Sequence, residues 1–140
     1  MKKIVIDASV AIKWFIPEVH AEKATRILQK KFKLLTPDLI FAEVGNILWK
    51  KLRLKEITYD IAIEILKDFR RIPMENFGIE PYLEFAWKIV TDYQCTVYDS
   101  LYVALAKTEE AVLVTADRLL YKNLQQTSLA NSLLWIEDIN

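Results

Sequence analysis

The 140-residue sequence predicts an α/β domain built on a mostly parallel sheet of about four to five strands. Three observations carry that expectation. Ile4-Val5-Ile6 and Val112-Leu113-Val114 are short, largely β-branched runs with no polar alternation, the pattern of strands covered on both faces. Between such runs lie longer segments whose apolar positions recur at steps of three and four, the helical period. With only 2 Gly and 4 Pro, the chain has little material for a many-turned all-β design.

The elements follow in order. After the first strand, Asp7-Ala8-Ser9 opens a short helix through Phe15, with Ser9 the expected cap and Pro17 the stop. A second helix covers Ala21 to Lys31, and Leu34-Leu35-Thr36 reads as the next strand. Pro37 precedes a helix from Asp38 to Leu54 with Ile40, Val44, Ile47 and Leu48 as its apolar stripe. Thr58 caps the following helix, whose expected stripe is Ile61, Ile65, Phe69 and Ile72. Asn76 to Ile79 forms a short strand. Pro81 starts a helix that buries Tyr82, Phe85, Ala86, Ile89 and Tyr93. Thr96 opens a helix to Thr108, Val112–Thr115 is a strand, Asp117 begins a short helix, and Leu133–Ile136 is the closing strand. No internal repeat or low-complexity tract interrupts this order, so residues 1–140 are expected to form a single domain.

Composition narrows the chemistry. One cysteine, Cys95, excludes a disulfide framework and a multi-cysteine zinc site, and one histidine, His20, excludes a paired-imidazole site. Cys95 is expected to be a small buried filler, His20 a surface residue at a helix start, and the four tryptophans core or interface. No apolar run approaches the length of a membrane span, and the first apolar run is too short for a signal peptide, so a cytoplasmic protein is expected. With Lys+Arg 19 against Asp+Glu 19, net charge does not advertise a partner.

In parallel sheets ligands gather outside the carboxyl ends of the strands, which directs attention to the acids there. Asp7 follows the first strand and Asp117 the strand Val112–Thr115; each by itself reads equally well as a cap or turn residue. Asp99 is more telling. Its helix is apolar almost all round, and a carboxylate buried with it is costly unless partnered, although Thr96 to Asp99 also has capping-box spacing. Glu43 flanks the apolar stripe of its helix, between Ile47 and Lys50, and periodicity alone leaves it an ordinary boundary residue. Carboxylates converging in one cleft raise one another's pKa values unless a cation sits among them. An all-oxygen donor set suits Mg²⁺ or Mn²⁺, and phosphodiester hydrolysis is the natural chemistry of such a pocket.

Four blocks of the sequence resemble a known family. They are Ile6-Asp7-Ala8-Ser9-Val10-Ala11 followed by Lys13-Trp14-Phe15, Thr36 through Val44, Thr96 through Ala106, and Leu113-Val114-Thr115-Ala116-Asp117-Arg118. In this order they resemble PIN domains, in particular the VapC-type toxin ribonucleases of prokaryotic toxin–antitoxin pairs. The resemblance implies a three-layer α/β/α fold and a metal-dependent endoribonuclease using Mg²⁺ or Mn²⁺. It implies that Asp7, Glu43, Asp99 and Asp117 form the acidic catalytic and metal site, with Asp7 and Asp99 the main ligands. Thr115, Ser9 and Thr96 would be hydroxyls that hydrogen-bond the carboxylates or the substrate. It also implies a homodimer and a small antitoxin protein laid across a hydrophobic groove, with RNA as substrate. One departure concerns the turn before the strand Val112–Thr115, where the family's glycine is replaced within Glu109-Glu110-Ala111.

Setting the four acids aside leaves 15 acids against 19 bases, a balance of +4. Lys30, Lys31 and Lys33, the set Lys50, Lys51, Arg53 and Lys55, and Arg70 with Arg71 are candidate phosphate contacts; each cluster also reads as a solvated helix face. Tyr98 and Tyr102 either border the cleft or belong to the core. The competing functions are a nuclease of RNA maturation and a non-catalytic binding module whose acids are caps. A receiver domain fits poorly, lacking the late-strand lysine, and a haloacid-dehalogenase-like phosphatase fits poorly because Ser9 stands where a second aspartate is needed.

Overall fold

Five short strands pair into one sheet in a computed structural model that describes residues 2–140. They are β1 (Lys3–Ile6), β2 (Lys33–Pro37), β3 (Glu75–Phe77), β4 (Val112–Thr115) and β5 (Leu133–Trp135). The order is β3-β2-β1-β4-β5 and every pairing is parallel. Val5 stands opposite Leu35 on one side and Leu113 on the other, so β1 is central and its three apolar residues are fully buried. The helices are α1 (Ala8–Ala11), α2 (Ala21–Gln29), α3 (Leu39–Arg53), α4 (Tyr59–Arg71), α5 (Leu83–Tyr93), α6 (Val97–Thr108) and α7 (Arg118–Gln125).

Successive strand side chains point to opposite faces, and the two cores divide accordingly. Ile4 and Ile6 pack with Val10 of α1, Ile27 of α2, Val44 and Leu48 of α3, and Phe69 of α4. Val5, Leu35 and Leu113 pack on the other face with Ile89 of α5, Leu101–Ala106 of α6 and Leu124 of α7. The fold is the expected three-layer α/β/α arrangement. In α6 every residue from Ser100 to Ala106 is buried, because this helix lies against the middle of the sheet and is covered by α5 on its outer side.

Three local expectations change. Ser9 does not cap α1; Asp7 does, accepting the Val10 amide at 2.9 Å, and Ser9 sits inside the helix. The reason is the strand end: Asp7 is the last extended residue (φ −102°, ψ 171°), the backbone state an N-cap requires. The stripe of α4 is Ala62, Ile65 and Phe69, with Ile61 49% exposed. At 3.6 residues per turn Ala62 lies about 20° from Phe69 around the axis and Ile61 about 80° away, at the stripe's edge. His20 is partly buried rather than superficial: its ring meets Trp135 edge-on and its Nδ1 lies 3.3 Å from Glu137. Trp49 and Trp87 are exposed, whereas Trp14 and Trp135 pack against the core.

The Glu109-Glu110-Ala111 turn keeps the shape a glycine would give. Glu110 is left-handed (φ 53°), and the Ala111 amide reaches back to the Ala106 carbonyl at 2.8 Å, closing a Schellman motif on α6. Lys55 ends α3 in the same way, with the Glu56 amide on the Lys51 carbonyl at 2.9 Å.

Candidate active site

In a parallel sheet the connections run back against the strands: α1, α3 and α7 begin where β1, β2 and β4 end, and α6, which follows α5, leads back to the start of β4. The N-terminal ends of α1, α3, α6 and α7 therefore meet at the carboxyl edge of the sheet. The chain also changes direction there: β2 and β3 extend the sheet to one side of β1, β4 and β5 to the other. Crevices form at such reversals. The crevice here is an open cleft of about 580 Å³ whose lining includes Asp7, Glu43, Asp99 and Asp117.

Each acid arrives on a different element. Asp7 ends β1 and Asp117 follows β4; both act as N-caps, Asp117 Oδ1 accepting the Leu120 amide at 3.1 Å. Capping occupies one oxygen of each carboxylate, and no hydrogen bond among the described residues engages the other. A cap and a cleft acid are therefore compatible in the same side chain. Asp99 lies in the first turn of α6, where the helix dipole favours negative charge. Glu43 stands in the second turn of α3, with Asn46, Ile47 and Lys50 along the same cleft wall at helical steps.

The supporting hydroxyls divide. Ser9 Oγ donates to Asp7 Oδ1 at 2.8 Å, a direct bond to a carboxylate as expected. Thr96 and Thr115 use their hydroxyl oxygens to accept backbone amides, those of Asp99 (3.1 Å) and Asp117 (3.0 Å), and the Thr96 hydroxyl also faces the Asp99 carboxylate, which it helps keep charged. Both threonines precede a helix start, where unpaired amides take a lone pair of the hydroxyl and leave its O–H free to donate. Thr36, fully buried, donates to the Ile6 carbonyl at 2.9 Å and so fixes the end of β1 just before Asp7.

One residue in this cleft escaped the sequence reading, and one that the sequence left between cleft and core is now placed. Lys13 lines it while pairing with Glu18 at 3.2 Å, and Glu18 also holds Lys51 at 2.9 Å. Tyr102, only 2% exposed, donates its hydroxyl to Glu43 Oε1 at 2.7 Å. Its signal was its position three residues after Asp99, on the same face of α6. Tyr98 is exposed and also borders the cleft.

The electrostatics are those of gathered acids. Burial pushes Asp7 up from 3.8 to about 6 against the opposing hydrogen bonds from Ser9 and Val10, and the charges of Asp99 and Glu43 add to the rise. Asp99 is raised by burial first and then by Asp117 and Glu43, with the Thr96 contact opposing. Among the described residues no three carboxylate, imidazole or thiol groups are gathered tightly enough to enclose an ion. The acids line the cleft without closing a cage, as uncompensated carboxylates do. Neither His20 nor Cys95 lines it, and its donors are carboxylate, hydroxyl and amide oxygens, a set that fits a hard divalent cation.

The family model described as PIN domain matches residues 4–123, which includes all four acids. The chain belongs to this family. Over 120 residues it is 34% identical to "Ribonuclease VapC3" of Pyrobaculum aerophilum, an alignment spanning 83% of this chain and 90% of that one. It is 28% identical over 116 residues to "Ribonuclease VapC3" of Mycobacterium tuberculosis, with 83% of each chain covered. Among solved PIN-like folds, the crystal structure of PAE2754 from Pyrobaculum aerophilum superposes with a TM-score of 0.72 at 26% identity, covering 97% of this chain and 85% of that one. The VapBC2 structure from Rickettsia felis, bound to a promoter DNA fragment, gives 0.65 at 15% identity, with 95% and 98% covered, a likeness of fold. Among the described residues of this PIN domain, no helix is long and apolar enough to cross a membrane.

Proposed function

We propose that this PIN domain is a metal-dependent endoribonuclease that hydrolyses RNA phosphodiester bonds and acts in the cytoplasm as the toxin of a VapBC-type pair. The observation that carries the reading is the convergence of Asp7, Glu43, Asp99 and Asp117, from four separate elements, on one cleft at the carboxyl edge of the sheet. The ribonuclease names of its relatives support the reaction, and the toxin–antitoxin assemblies among its structural neighbours support the partner.

Asp7 and Asp99 would hold Mg²⁺ or Mn²⁺, with Glu43 and Asp117 completing the site directly or through water. The bound cation supplies charge that polarises the phosphate and makes an attacking water more acidic. The chain does the positioning. Ser9 and the Val10 amide fix the Asp7 carboxylate, α6 presents Asp99 from its first turn, and Asp117 is anchored by the start of α7. Lys13 and Lys50 on the cleft wall are suited to flanking phosphates of the strand, a role that leaves base identity unread. A single domain, a homodimer and a small antitoxin complete the reading; light scattering of the purified chain and of its co-expressed complex tests the last two.

The decisive experiment is cleavage of a mixed RNA pool by purified protein in Mg²⁺ or Mn²⁺, in EDTA, and with Asp99→Asn. Metal-dependent cutting that the variant loses while staying folded by circular dichroism supports the reading. No cutting together with no metal binding overturns it in favour of a binding module.

A further inference from the structure

A buried phenol needs a partner for its hydroxyl, and most can find a backbone carbonyl in the core. Tyr102 does something different. Its hydroxyl spans 59 positions of sequence to reach a carboxylate of the cleft, at 2.7 Å, a full-strength O–H···O distance. The Ala8 backbone amide faces the same hydroxyl oxygen. That amide belongs to the first residue of α1, where no carbonyl within the helix is available to it. One hydroxyl thus stands between the start of α1, immediately after Asp7, and Glu43 on α3, and it is carried by the helix that bears Asp99.

We propose that Tyr102 is a positioning residue of the acidic cleft: its hydroxyl fixes the Glu43 carboxylate through Oε1 and leaves the second oxygen free for a cation or its water. The proposal rests on the metal-dependent reading of the cleft. Glu43 needs such a device more than the other acids do. Asp7 and Asp117 are held by helix amides and Asp99 by its place in the first turn, whereas Glu43 has a longer side chain in the second turn, where the helix's own amides are already paired. Groups that orient a ligand in this way typically change metal affinity by about tenfold to a hundredfold when removed.

The test is Mn²⁺ binding by titration calorimetry, without RNA, on the whole chain and on Tyr102→Phe, Glu43→Gln and the double variant. The expected result is that Tyr102→Phe weakens Mn²⁺ binding about tenfold or more, while in the Glu43→Gln background it changes nothing further. A merely structural tyrosine would lower the unfolding temperature and act equally in both backgrounds. Unchanged affinity in Tyr102→Phe, or the same loss with and without Glu43, overturns the proposal. Should Tyr102→Phe fail to fold, Glu43→Asp withdraws the carboxylate from the hydroxyl without disturbing the core, and it must show a comparable loss; full affinity in that variant overturns the proposal. If the unaltered chain binds no Mn²⁺, the metal-dependent reading itself fails and this inference falls with it. If it binds and only Tyr102→Phe is silent, the nuclease reading stands alone.

Discussion

The two edges of the sheet tolerate unfavourable features of different kinds. At the carboxyl edge, four carboxylates share a cleft and burial holds Asp7 and Asp99 above the ordinary range. At the opposite edge, Glu110 sits in a left-handed backbone where glycine is easier, and the Lys3 amine meets the Glu109 carbonyl at 3.0 Å. The first cost lies in charge and can be relieved by a cation. The second lies in the backbone and can be relieved only by changing the residue. Chemistry is expected where the unfavourable feature responds to a ligand.

The largest effect expected from this contrast is on cleavage. Asp99→Asn should reduce RNA cleavage by about a thousandfold or more, as loss of several kcal/mol of metal-linked stabilisation requires, with a helical circular dichroism spectrum retained. Cleavage surviving at full rate would break the contrast by making the acidic edge a set of caps.

Next comes the pH dependence of stability. Asp7 has a raised pKa in the folded chain, so the folded state disfavours its charged form. Stability is therefore highest below about pH 4 as far as this group is concerned and is lost as pH rises from 3.8 through about 6. Without divalent cation, Asp7→Asn should be more stable than the unaltered chain above pH 6 by on the order of 1–3 kcal/mol, with the difference vanishing toward pH 4. Urea titrations at several pH values would read it, and added Mg²⁺ should shrink the difference.

Smaller effects sharpen the comparison. Thr96→Ala removes the hydroxyl that caps α6 and should cost about 1 kcal/mol of stability, leaving cleavage within about tenfold because the Asp99 carboxylate itself is retained in the first turn. Glu110→Gly should add about 1 kcal/mol by thermal unfolding and leave cleavage unchanged, since the turn lies at the other edge. A change in cleavage with that variant would show that the two edges are coupled through α6.

Much of this was readable in the residues because it depends on local rules. β-Branched runs without alternation announced β1 and β4 as buried strands, and the apolar circumference of α6 announced a central helix. Asp7 and Asp117 were legible as strand-end acids for the same reason. Ser9 against Asp7 was not, because both can cap and only the end of the extended backbone chooses between them. The α4 stripe was misplaced by one residue, since a small Ala62 at the centre of a contact is invisible to a reading that weighs large apolar groups.

Glu43 marks the boundary most clearly. From spacing it is a residue beside an apolar stripe, and only the family resemblance singled it out. Tyr102 likewise reads two ways from its spacing, as a border of the cleft or as one more aromatic of a buried helix. Their hydrogen bond depends on α3 and α6 being brought to the same strand edge from opposite faces of the sheet, which local preference does not encode. The sequence by itself determined the alternation of strands and helices, the buried character of β1 and α6, and the presence of acids at two strand ends, because those follow from side-chain period and backbone preference. The tertiary structure alone decided that the chain reverses at β1, so that acids far apart in sequence line one cleft, and that a phenol donates a hydrogen bond to one of them.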